Sequence, residues 1–300
     1  MLTITEWAKL NPTPLQSGVV EIFAAENPVL AALPFQNIAG NAFTYNVESA
    51  LPGIAFRGFN EAYVESTGII NPMTETLTII GGDSDYDVAQ IAMGTGDNDS
   101  RAVHDALKAK ALTLAWLKTF FDGDTAANAK EFDGLNKRLT GDQVIAAGAN
   151  GAPLDLDMLD KLVDAVRGTP SVLLMNKAMR RAVIKLARGS SVLSVGPDLF
   201  GREVTSYSGV PMAVVEEDAT GTDILGFDEA QGTDNATASI YAVKFGPDAL
   251  HGIQTAPISA RDLGEIDAKP AYRTRIEWYS GLVIKHPRSV ARLKGLKKPS

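Results

Sequence analysis

Two alternating stretches, held apart by a long patternless one, constrain the fold of this chain more than any other feature. Phe43, Tyr45 and Val47 alternate with Thr44 and Asn46, and Thr74, Thr76 and Thr78 alternate with Glu75, Leu77 and Ile79. Each run has the period of a strand. Between them, from Ser49 to Pro72, more than twenty residues carry neither helical nor strand pattern. Hairpin loops inside compact domains are about two to five residues long. A two-stranded ribbon is marginal in water by itself, and its edges expose unpaired N–H and C=O groups. The ribbon is therefore either covered by the rest of its own chain or rests on a neighbouring subunit.

The remaining pattern predicts a mixed α+β chain. Residues 3–37 read as an arm with helical pieces at 18–25 and 28–34, each too short to be stable alone. Residues 100–121 form the clearest helix, roughly 33 Å long, with Asp97, Asp99 and Ser100 as capping groups and Gly123 as its stop. Its apolar stripe is Val103, Leu107, Leu114, Leu117 and Phe121, widened by Leu112, Trp116 and Phe120. From about 142 helices and strands alternate: a helix at 154–167, a buried strand at 171–175, and a helix at 176–188 with a basic outer face. A hairpin turns over Ser208-Gly209, and a further strand covers 239–245. The stretches around 190–201 and 218–237 read as surface loops. A long strand at 271–285 and a last short one at 289–296 close the chain.

Composition narrows the chemistry. Forty-five per cent apolar and 21 per cent charged residues are ordinary for a globular chain, and no stretch approaches the length of a membrane span. The absence of cysteine excludes disulfides, thiolate metal sites and cysteine nucleophiles. The net charge of −8 is unevenly spread: residues 1–100 carry −10 and residues 261–300 carry +6. An acidic chain does not coat DNA through bulk electrostatics. The asymmetry fits either a solvated basic tail or attraction between opposite ends of neighbouring subunits.

No catalytic, cofactor or metal constellation emerges. His104, His251 and His286 have no partner at ligand spacing. Asp83-Ser-Asp85-Tyr-Asp87 opens like a calcium loop, but Val88 stands where a sharp-turn glycine is needed and Gly94 where a bidentate glutamate is needed. It reads better as a strand with one acidic face. Gly94-Thr-Gly96 and Gly148-Ala-Asn-Gly151 lack the lysine of a phosphate loop, and Arg188-Gly-Ser-Ser-Val lacks a nucleophile elbow.

Several segments, in order, resemble the tailed-bacteriophage major capsid proteins with the Hong Kong 97-type fold. They are Leu51-Pro-Gly-Ile-Ala-Phe-Arg-Gly-Phe-Asn-Glu61, Leu77-Thr-Ile-Ile-Gly-Gly-Asp83 with Asp85 and Asp87, and the helix ending Lys118-Thr-Phe-Phe-Asp-Gly-Asp124. Glu131-Phe-Asp-Gly-Leu135, Gly209-Val-Pro-Met-Ala-Val-Val-Glu-Glu-Asp218 and Ile276-Glu-Trp-Tyr-Ser-Gly-Leu-Val-Ile-Lys-His-Pro287 complete the set. The resemblance implies an N-terminal arm (1–37), an extended two-stranded loop (38–95), a spine helix with the peripheral domain (96–141), an axial domain (142–258), the peripheral domain's long strand (259–287) and a tail returning to the axial domain (288–300).

It further implies a non-enzymatic subunit that assembles with itself, through pentamers and hexamers, into an icosahedral virion shell. Such a shell encloses double-stranded DNA without reading its sequence and is assembled in the host bacterial cytoplasm. Portal, a separate scaffold and a cement or decoration protein are the implied partners; a membrane is not. The arm begins close to Met1, which implies a separate scaffold or none. No lysine stands between Lys9 and Lys108, so lysine–asparagine cross-linking from the extended loop is not expected. Intersubunit contact candidates are Glu48, Phe56, Arg57, Asn60, Glu61, Glu65 and Glu75 on the loop, with Arg273 and Arg275 as the basic surface the acidic loop would meet. An encapsulin-type nanocompartment shares the fold. From another class, a soluble α/β hydrolase or binding protein is the alternative, and particle formation separates it from a shell.

Overall fold

A computed structural model describes residues 27–50, 52–67, 69–89, 100–188, 192–197 and 203–299. The helical piece expected at 18–25, the capping residues Asp97 and Asp99, and Gly94-Thr-Gly96 lie outside them. In chain order the elements are α1 (Pro28–Ala32), β1 (Phe35–Asn37), β2 (Ala42–Ala50), β3 (Ile69–Thr76), β4 (Thr78–Asp87), α2 (Ser100–Asp122), α3 (Leu135–Arg138) and β5 (Val144–Ala146). There follow α4 (Leu156–Ala165), β6 (Val172–Met175), α5 (Lys177–Leu186), β7 (Leu193–Pro197), β8 (Glu203–Tyr207), β9 (Val210–Val214) and β10 (Glu229–Gln231). The last strands are β11 (Asp234–Val243), β12 (Leu250–Gln254), β13 (Ser259–Glu265), β14 (Ala271–Ile284) and β15 (Val290–Lys297).

Among the described residues these strands form three sheets. One runs β1-β12-β14-β13, with β4 also paired to β14; a second runs β5-β15-β11-β6-β9-β8-β7, with β10 on β11; β2 and β3 pair only with each other. The first sheet is joined to α2 by aromatic packing. Trp116 lies 5.7 Å from Trp278 between ring centroids, and Phe35 lies 5.1 Å from Trp278. Buried indole N–H groups need acceptors. Trp116 Nε1 donates to Ser280 Oγ at 3.2 Å and Trp278 Nε1 to Gln254 Oε1 at 3.0 Å. Gly252 is required beneath this cluster, because a Cβ there would stand 2.2 Å from the Phe35 ring.

The second sheet holds its own core. α4 and α5 place Leu159, Leu162, Met179 and Val183 on one of its faces, against Leu173, Met175, Met212, Ile240 and Leu293. β6 is buried at every position, as a strand paired in parallel with β9 and covered on both faces should be. Asp155 caps α4, and Asn176 caps α5 while donating from Nδ2 to Leu225 O at 2.8 Å. Ser208 (φ 50°) and Gly209 (φ 80°) are both left-handed, the geometry of a two-residue hairpin turn, and join β8 to β9 as the sequence suggested.

Several expectations need correcting. The buried face of α2 is Ala109, Leu112, Trp116, Leu117, Phe120 and Phe121, whereas Val103 and Leu107 are 51% and 60% exposed. The first half of the helix packs through polar groups instead: Asp105 is buried and accepts from the Tyr86 hydroxyl of β4, and His104 meets the Tyr86 ring edge-on at 5.8 Å. The single alternating run at 74–79 breaks at Leu77 into β3, which pairs β2, and β4, which pairs β14. Alternation continues smoothly across a change of partner and cannot report it. The stretches 190–201 and 218–237 contain β7, β10 and the start of β11. β12 was missed because it is buried throughout and does not alternate, and β13 because its pattern is mostly polar.

Candidate functional site

The β2–β3 hairpin is anchored at its base and bare at its tip. At the base, Tyr45 is buried and donates from its hydroxyl to Ile284 O at 3.3 Å; burial and the adjacent Glu75 carboxylate push its pKa up to about 12. Phe43 stacks on Tyr45 and meets His251 edge-on at 6.2 Å. Arg138 of α3 forms a two-pronged bond to Glu75, with Nη2 to Oε2 at 2.7 Å, and the pair is largely screened from solvent. Arg138 Nε also donates to Asp133 O at 2.6 Å, which fixes the guanidinium plane.

The tip, residues 52–67, has neither helix nor strand but is locally shaped. Gly58 N donates to Glu61 Oε2 at 2.8 Å, and Arg57 Nη1 donates to Glu61 O at 3.3 Å. The Arg57 guanidinium sits 5.1 Å from the centre of the Tyr63 ring, a cation–π distance. Asn60 takes a left-handed φ of 66°, which asparagine tolerates better than most residues. Lower down, Gly53 N donates to Ser66 Oγ at 2.8 Å. These bonds shape the tip from within and leave its apolar side chains outside. Ile54, Phe56, Phe59 and Val64 are between 83% and 107% exposed, and Tyr63 is 68% exposed. A run of large apolar side chains without cover among the described residues is the mark of a surface that meets another.

The candidates named from sequence therefore divide. Phe56 and Glu65 are exposed, while Arg57, Asn60 and Glu61 build the turn between them. Glu48 pairs with Ile70 through its backbone. Glu75, Arg273 and Arg275 are engaged within the chain and do not form the waiting charges expected of them. Arg273 grips Asp85 (2.6 and 2.8 Å) and Arg275 grips Asp83 (2.6 and 2.9 Å), each across the β4–β14 ladder. Arg275 holds the Asp83 carboxyl below its usual range, and Arg273 with Lys269 does the same for Asp85. Lys269 and the Arg261–Glu277 pair extend this ladder across the exposed face of the sheet. The acidic strand 83–87 was legible in the sequence, but its partner across β14 depends on a register no local pattern contains. Ile54, Phe59, Tyr63 and Val64 were missed as candidates because patternless segments are usually polar; their apolar content was the available signal.

No group of His, Asp and Glu side chains suited to holding a metal ion occurs among the described residues.

Residues 12–157 match the family model of the major capsid protein GP7. No curated protein sequence matches the chain. Among solved structures, the capsid of a native GTA particle superposes with a TM-score of 0.64 at 17% identity, covering 91% of this chain and 90% of that one. The SrpI encapsulin of Synechococcus elongatus gives 0.64 at 18% identity, with 91% and 89% covered. Microbacterium phage Oxtober96 gives 0.64 at 14% identity, with 90% and 91% covered. With a likeness to capsid structures over nearly its whole length, the chain has the Hong Kong 97-type capsid fold.

Proposed function

We propose that this chain is the repeating subunit of an icosahedral phage shell, assembling through pentamers and hexamers around double-stranded DNA. The observation that carries the reading is the tip of the β2–β3 hairpin, whose apolar side chains are exposed while its base is fixed to the subunit body. A fixed base aims the tip; an uncovered tip needs a second surface. In this reading that surface is an adjacent copy, met by Phe56 and Glu65 together with Ile54, Phe59 and Val64. The first sheet and α2 form the peripheral domain, the second sheet with α4 and α5 forms the axial domain, and β15 returns the tail to the axial sheet. Portal, scaffold and cement proteins are its partners, and the host cytoplasm is its place of assembly.

An encapsulin-type compartment is the second reading, favoured by the likeness to the Synechococcus shell. The nucleic-acid content of particles from the native source separates the two. The basic test is negative-stain microscopy with sedimentation velocity on the purified chain. Rings or closed particles are expected; a monodisperse monomer at all concentrations and salts, without added scaffold and with it, overturns the reading.

A further inference from the structure

The chain crosses between the two large sheets from β11 to β12, through 244–249, and from β14 to β15, through 285–289. The end of α4 lies against both crossings. Backbone bonds stitch the three segments together: Arg167 N donates to Arg288 O at 2.8 Å, Lys244 N to Ser289 O at 2.9 Å and Ser289 N to His286 O at 3.0 Å. Three cations gather on this frame. Lys244 Nζ donates to Arg167 O at 2.9 Å, Arg288 Nε donates to Ala165 O at 3.3 Å, and Arg167 Nη1 lies 2.9 Å from His286 Nε2.

Helix capping accounts for two of them. Lys244 and Arg288 satisfy carbonyls at the end of α4, where positive charge suits the helix dipole. It does not account for Arg167, whose guanidinium meets an imidazole. Arg167, Lys244 and Arg288 form no ion pair among the described residues, and Asp248, the acidic residue of the crossings, pairs with Lys285 at 3.7 Å. The Arg288 backbone N–H donates to His286 Nδ1 at 3.1 Å. A neutral imidazole has one lone pair for these two donors, so its protonated nitrogen adds a further N–H to the cluster. Gly168, left-handed at φ 82°, keeps the approach to Lys244 open: a Cβ there would stand 2.8 Å from Nζ.

We infer that Arg167, Lys244, Arg288 and His286 form a binding site for a phosphate group. A tetrahedral phosphate presents acceptor oxygens in several directions and carries more charge than a carboxylate, which suits donors arriving from three segments of chain. Arginine holds phosphate through paired N–H groups and lysine holds it as a point charge. The bound group ties the end of α4 to both crossings, and so ties the two sheets where they join. Free phosphate and the backbone of a nucleic acid present the same oxygens, and either is a source. The inference stands independently of the shell reading.

Calorimetric titration of inorganic phosphate into the full chain, against sodium chloride at equal ionic strength, tests the site. Saturable binding is expected. Arg167→Gln and Lys244→Gln, which remove different cations from the cluster, should each weaken it at least about tenfold. Arg180→Gln, the same loss of charge at an exposed position of α5, should leave it within about twofold. Circular dichroism confirms that each variant is folded, and two cluster variants keep the test decisive if one is not. A short DNA duplex followed by fluorescence anisotropy assigns the source. Weakening of the duplex by the cluster variants identifies a nucleic-acid backbone; phosphate binding with duplex affinity unmoved identifies free phosphate. No saturable phosphate binding together with a duplex affinity unmoved by the cluster variants overturns the inference. An equal loss in Arg180→Gln also overturns it, because only bulk charge would then be at work. The shell reading fails on a different result, a parent chain that never forms particles.

Discussion

Replacing Phe56 and Phe59 by serine separates folding from assembly. Both rings are fully exposed in the subunit, at 107% and 103%, so in-chain burial contributes nothing at either position. Unfolding leaves their exposure unchanged, and the stability of the dissociated chain should move by less than about 0.5 kcal/mol. In an assembled shell each ring that becomes buried contributes about 1.5–3 kcal/mol, so the double change removes roughly 3–6 kcal/mol per tip. Ordering and desolvation costs reduce the usable part, which favours the lower end. At about 3 kcal/mol the concentration needed for assembly rises on the order of a hundredfold. Light scattering and sedimentation velocity across a concentration series measure that threshold, and thermal melts of the dissociated chain measure folding. Two results refute the reasoning. An unchanged threshold means the rings are not buried on assembly; a subunit melting many degrees lower means they pack within their own chain.

Three further perturbations test the hairpin's base and the core beneath it. His251 is fully buried, and burial followed by the nearby Lys285 charge lowers its pKa to about 4, with the Ala249 backbone and Asp248 opposing. A folded-state value below the unfolded 6.5 means stability is intact above about pH 6.5 and falls as pH drops toward 4, by on the order of 2 kcal/mol at pH 5. His251→Leu should flatten that part of a urea-unfolding pH profile, and an equally steep acid loss in the variant would disprove the assignment. Arg138→Ala leaves the Glu75 carboxylate half-buried without its partner and should cost about 1–3 kcal/mol, between exposed and fully buried pairs. Faster amide exchange in β2 and β3 should accompany it, and unchanged protection there would show that the pair does not hold the hairpin. Gly252→Ala puts a methyl into the Phe35 ring and should destabilise by about 1–3 kcal/mol in a denaturant titration; a neutral result would mean that ring moves freely.

What the sequence could show followed the physics of each signal. The helix at 100–121 and the strand at 271–285 were legible because one face of each is buried and the other wet, and a period survives. The Ser208-Gly209 turn was legible because two left-handed residues in a row nearly dictate their own types. β12 was not, because a strand covered on both faces has no period to read. The site divided the same way. Exposed apolar residues at the tip could have been found by composition, whereas the engagement of Arg273, Arg275 and Glu75 could not. Those three bonds span 188, 192 and 63 residues of chain, and nothing local records such a register.

The two ends of the hairpin then explain each other. A flexible loop with the same apolar content would surrender its conformational freedom at the moment of docking, at about 1–2 kcal/mol for each backbone residue fixed. Here Tyr45 and the Arg138–Glu75 pair meet part of that cost on folding, in the base of the ribbon. Glu61, Arg57 and the left-handed Asn60 meet more of it inside the tip. What remains for association is chiefly the burial of Ile54, Phe56, Phe59 and Val64, which is favourable and needs little new order. The charged residues of this loop therefore act mostly on its own shape, and the apolar ones on its neighbour. Weakening the base should reduce assembly without touching a single intersubunit contact, so Arg138→Ala should raise the assembly threshold even though Arg138 lies far from the tip in sequence and is engaged by its own chain.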